Sequence, residues 1–132
     1  MAFLIGYVAF LIVFGLMDFA WLSTTVPKLY LPVLGDSAAT NMRLAPAIVF
    51  YLFYAAGAVF FGALPGVSSG PRTAFLCGLF LGAVAYGTYD LTNYATLRNW
   101  SLALTVVDMA WGALATGVAC MAASVAMRYL SA

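Results

Sequence analysis

A carboxylate, a carboxamide, three tyrosines and an arginine crowd into Tyr86-Gly87-Thr88-Tyr89-Asp90-Leu91-Thr92-Asn93-Tyr94-Ala95-Thr96-Leu97-Arg98, within a sequence otherwise dominated by Leu, Val, Ala, Phe and Gly. At helical spacing Tyr86, Asp90 and Tyr94 form an i, i+4, i+8 row, and Asn93 stands at i+3 from Asp90. Two further carboxylates, Asp18 and Asp108, lie inside apolar runs, each followed at i+3 by a tryptophan, Trp21 and Trp111. Carboxylates in such surroundings suit three kinds of chemistry. They hold the polar end of a ligand, they exchange a proton, or they pin helices together through hydrogen bonds. Tyrosine and tryptophan rings beside them supply apolar walls with hydrogen-bonding tips.

The elements that must position these groups are four long apolar runs. The chain of 132 residues is 66% hydrophobic and 7% charged, with a mean hydropathy of +1.06. A soluble domain of this size needs more charge to cover its surface. The expected fold is an all-α integral membrane four-helix bundle, up-down-up-down, occupying 1–132 as a single transmembrane domain. Its helices are expected at about 3–23, 45–64, 72–97 and 101–128. Ser23 to Arg43, with Pro27, Pro32 and Gly35, reads as the longest loop, partly lying in the interface, and its end is Thr40-Asn41-Met42-Arg43. Pro65 to Pro71 reads as a tight turn. The rings of the second run, Phe50, Tyr51, Phe53, Tyr54, Phe60 and Phe61, read as lipid-facing or gap-filling.

Alternating helices bring Asp18, Asp90 and Asp108 to one leaflet, together with Lys28, Arg43 and Arg98. Three ionised carboxylates in a low dielectric repel, so a basic residue or a retained proton must offset them. Arg43 is the best-placed partner, because Arg98 lies about 12 Å along an ideal helix from Asp90. The ligand-binding residues expected from this geometry are Asp18, Trp21, Arg43, Tyr86, Asp90, Asn93, Tyr94, Asp108 and Trp111, with Asp90 at the centre. Asp18-Phe19-Ala20-Trp21 and Asp108-Met109-Ala110-Trp111 share a pattern on antiparallel helices, although the match is too short to count as an internal repeat.

Small residues complete the pattern. Gly78 and Gly82 form a GxxxG pair, and Ala115, Ala119 and Ala123 give a smooth i, i+4, i+8 face. Either can admit a close helix, within the bundle or from another protomer. The chain contains no histidine, which excludes His-box metal chemistry; no metal site and no cofactor are expected. Cys77 and Cys120 fall within spans and read as packing residues. Net charge is +1 with no basic patch, so nucleic acid is not an expected partner. Membrane lipids are, as is a homo-oligomer or a larger membrane complex.

Asp18-x-x-Trp21, the run Tyr89-Asp90-Leu91-Thr92-Asn93-Tyr94-Ala95-Thr96-Leu97 with Trp100, and Asp108-x-x-Trp111-Gly112 together resemble a small bacterial family of predicted four-helix membrane proteins, a domain of unknown function. The resemblance covers essentially the whole chain. It implies a multi-pass location in the bacterial inner membrane and brings no activity with it.

The leading functional expectation is a polar and aromatic pocket at one leaflet that binds a lipid or another hydrophobic small molecule. The alternatives are an accessory or assembly subunit of a larger complex, proton or cation transport through the aspartates, and a lipid-modifying membrane enzyme. Transport needs polar groups that continue to the opposite leaflet, and the far halves of the first, second and fourth runs are almost wholly apolar. An enzyme would use an aspartate as general acid or base; no nucleophile–base pair accompanies it, and the catalytic residues are unknown.

Overall fold

The computed structural model describes residues 1–38 and 43–131. Four helices are long and apolar enough to cross a membrane: α1 (Ala2–Leu34), α2 (Leu44–Ser69), α3 (Pro71–Thr96) and α4 (Leu102–Leu130). No strand is present among the described residues. The expected loop end at Thr40-Asn41-Met42 lies outside the described residues; the rest of the expected long loop is mostly helix.

Prolines account for that difference. A proline inside a helix lacks an N–H, and its ring crowds the carbonyl four residues earlier. The carbonyl crowded by Pro32 belongs to Lys28, and that crowded by Pro65 belongs to Phe61. Both fall in single π-helical turns, Val26–Tyr30 in α1 and Val59–Ala63 in α2. The wider turn absorbs the ring without ending the helix. Hydroxyl back-bonds precede the first of these turns: Thr25 donates to the Trp21 carbonyl at 2.6 Å and Ser23 to that of Phe19 at 2.7 Å. Helix α1 thus carries on through Leu34 and stops at Gly35, whose φ of +53° suits glycine. The expected turn at Pro65–Pro71 shrinks likewise to Gly70, at φ +104°, with Pro71 opening α3. Ser101 caps α4, its hydroxyl accepting from the Leu104 N–H at 3.0 Å.

Away from the aspartates the bundle is held by close backbone contact. Gly78 packs on Thr116 and Cys120, Gly82 on Gly112, and Gly87 on Met109, so α3 and α4 run antiparallel in tight register. A Cβ on Gly78 would lie 2.8 Å from the Thr116 carbonyl oxygen. The GxxxG pair is consumed inside the bundle rather than offered to a partner. The alanine row is consumed too: Ala115, Ala119 and Ala123 are fully buried in the core with Phe10, Phe14, Val59 and Met127. Lipid gives helices no hydrophobic reason to associate, so this interdigitation and a few polar contacts must hold them. Cys77 and Cys120 are free thiols, and Cys120 is buried with its S–H directed to the Ala58 carbonyl at 3.4 Å.

Candidate functional site

Asp18 and Asp108 anchor the opposite end of the bundle. Asp18, 6% exposed, accepts from the Tyr51 hydroxyl on one oxygen and from the Trp111 indole N–H on the other at 3.3 Å. Asp108, also 6% exposed, accepts from the Tyr30 hydroxyl, which in turn accepts from the Trp21 indole N–H at 3.2 Å. Trp21 and Trp111 stack with centroids 4.6 Å apart and planes 4° from parallel. The shared Asp-x-x-Trp spacing now has a physical role. Helices α1 and α4 are antiparallel, since Gly6 faces Met127 and Asp18 faces Trp111. Each tryptophan therefore serves the carboxylate of the other helix: Trp111 directly, Trp21 through Tyr30. Two acid nodes are joined by one indole stack.

Tyr30 reaches Asp108 because the π turn at Val26–Tyr30 keeps the chain helical beyond the point where the sequence suggests it leaves. Tyr51 comes from α2, on the face turned toward Phe14 of α1, with ring centroids 6.0 Å apart. Tyr86 is set by α3 against α4: a Cβ on Gly112 would run into its ring, so the glycine is the seat of the tyrosine.

These groups surround a cavity of about 440 Å³. Asp18, Trp21 and Leu22 of α1, with Tyr30, form one side; Phe50 and Tyr51 of α2 form another. Ala85, Tyr86 and Tyr89 of α3 and Asp108 of α4 close it. A second cavity, about 360 Å³, runs along α1 past Phe10, Leu11, Phe14, Gly15 and Phe19. The two share Asp18, Leu22 and Tyr51. A chamber of acids and aromatic rings thus adjoins an apolar groove, which follows α1 from Phe10 to Leu22 over about 18 Å of helix.

The structure divides the residues expected from the sequence. Asp18, Trp21, Tyr86 and Asp108 line the chamber, and Trp111 stands behind it as donor and stacking partner. Asp90 lies outside both linings. It is fully buried behind the chamber, the carboxylate that bears on it is Asp108, and neither of its oxygens has a hydrogen-bond partner among the described residues. The row on α3 splits: Asp90 is buried, Tyr94 is 46% exposed, and Asn93 is half-buried outside the lining. Arg43 is exposed at the N-cap of α2 and lines none of these cavities. The carboxylates at 18 and 108 are met by tyrosine and tryptophan donors instead, which neutral groups can supply without bringing a buried cation. Sequence reasoning missed Tyr30, Phe50, Tyr51 and Tyr89. For the tyrosines a signal was present, since a hydroxyl in an apolar span needs a partner.

Four membrane-length helices around this buried acid-and-aromatic end define a multi-pass membrane protein. The chain belongs to the family described as "Predicted membrane protein (DUF2177)", whose model matches residues 3–125. No curated protein and no solved structure matches it.

Proposed function

We propose that the protein binds a single amphipathic molecule drawn from the surrounding lipid, head in the chamber and chain in the groove. The observation that carries this reading is that the two cavities lie side by side and share Asp18, Leu22 and Tyr51 in their linings. A purely structural polar cluster has no need of an adjoining apolar groove. A wholly apolar ligand has no need of two hydrogen-bonded carboxylates. The resemblance on Tyr89–Leu97 supports the bacterial inner membrane as the source of the molecule. A role as a docking subunit draws no support from the GxxxG pair or the alanine row, because both are spent within the bundle.

Gly15 provides the test. It lines the groove, and a Cβ placed there meets nothing within 4 Å. Gly15→Leu fills the groove without disturbing the core and improves helix propensity. Mass spectrometry of organic extracts from the purified protein is expected to find an amphiphile in the wild type. It should be absent from Gly15→Leu at unchanged thermal stability. Equal retention by both proteins, or no amphiphile in the wild type, contradicts the reading.

A further inference from the structure

We propose that the head of the bound amphiphile is cationic, an alkylammonium or quaternary ammonium group. The inference rests on the amphiphile reading above and adds the chemistry of the head. Both formally charged side chains that line the chamber, Asp18 and Asp108, are acidic. Asp90, fully buried, lies against Asp108 outside the lining. The basic residues expected at this end, Lys28, Arg43 and Arg98, are all exposed and absent from the lining. An anionic head entering here would meet carboxylates with no cation to offset them, in a medium that screens little. A cationic head offsets the acidic excess.

The walls make the same choice. Trp21, Tyr30, Phe50, Tyr51, Tyr86 and Tyr89 ring the chamber. The hydroxyls of Tyr30 and Tyr51 are already committed as donors to Asp108 and Asp18. What these two residues keep for a ligand is chiefly their rings, and aromatic rings attract ammonium groups through their quadrupoles. A quaternary ammonium has no N–H to donate, so it suits a chamber whose carboxylate lone pairs are partly occupied.

The experiment uses the full chain purified in uncharged maltoside micelles and three probes with the same twelve-carbon chain: dodecyltrimethylammonium, dodecanoate and a neutral dodecyl glycol ether. Binding is followed by tryptophan fluorescence, since Trp21 lines the chamber and stacks on Trp111. The ammonium probe is expected to saturate with a Kd about tenfold or more below those of the other two. The double variant Asp18→Asn, Asp108→Asn keeps the shapes and is expected to erase that preference. Gly15→Leu is expected to weaken all three probes alike. Dodecanoate or the glycol ether binding as tightly as the ammonium probe overturns the cationic head and leaves the amphiphile reading standing. No saturable binding of any probe by the wild type overturns both. The comparison of heads on the unmodified protein decides the question even where the double variant does not fold.

Discussion

The two ends of this bundle use the same four helices in opposite ways. Around Gly62, Gly66, Gly78 and Gly82, glycine, alanine and one cysteine let backbones touch: a Cβ on Gly66 would lie 2.6 Å from the Ser124 hydroxyl, and one on Gly78 2.8 Å from the Cys120 Cβ. Around Asp18 and Asp108, indoles and phenols hold the helices apart and leave about 440 Å³ between them. Close packing of small residues gains dispersion contacts over a large area and leaves no room for a guest. Large rings that meet at their polar tips are fixed in place by a few hydrogen bonds, and space remains among them. The comparison teaches that the glycine end holds the helices by close backbone contact, and that the aromatic end holds them by a few hydrogen bonds and an indole stack that leave space for a cavity.

The harshest way to break that division is Gly82→Leu. Its Cβ collides with the Gly112 carbonyl, a backbone atom that cannot yield. The expected loss is about 3 kcal/mol or more, read as a collapse of thermal stability in detergent; a normal melting temperature would move the source of rigidity elsewhere. Next comes Gly112→Ala, which links the two ends by pushing Tyr86 off its seat. It is expected to cost about 2 kcal/mol and to alter ligand retention as well, whereas a stability loss with retention unchanged would detach Tyr86 from the chamber. Asp18→Asn keeps the side-chain shape but weakens what Tyr51 and Trp111 donate to. Interhelical hydrogen bonds in membranes are modest, so about 1 kcal/mol is expected, with a larger effect on binding than on melting. The smallest effect belongs to Arg43→Ala, exposed and outside the lining: stability should move by less than about 0.5 kcal/mol, and ligand extracts should match the wild type. A clear loss of ligand there would restore Arg43 to the site.

Much of the tight end was legible in the sequence, because small-residue spacing is a local pattern that Gly78, Gly82 and the alanine row display on their own. The site was legible where its logic was also local. Asp-x-x-Trp on two antiparallel helices marked Asp18, Trp21, Asp108 and Trp111 correctly as neighbours of one polar cluster. It was illegible where partners are remote in the chain: Tyr30 lies 78 residues from Asp108, and Tyr51 lies 33 from Asp18. The prolines hid Tyr30 further. Pro27 and Pro32 read as loop residues, yet a π turn lets the helix run on and carry Tyr30 to the cluster. Asp90 stands out in the sequence through its dense local neighbourhood, and it lies outside both cavity linings. Asp90 and Tyr94 share a helix face, yet Tyr94 lies in the last turn of α3 and is exposed where Asp90 is fully buried. Arg43 was favoured by the assumption that buried carboxylates need a cation, whereas Asp18 and Asp108 are met by phenol and indole donors.

The most direct measurement of the central claim is crystallographic. The protein would be crystallised with a dodecyltrimethylammonium whose chain ends in bromine, and the halogen located by its anomalous scattering. The amphiphile reading with a cationic head predicts one bromine peak in the groove beside Phe10, Leu11 and Gly15, with density for the ammonium head between Asp18 and Asp108. A peak only on the outer, lipid-facing surface, or head density outside the chamber, would contradict it.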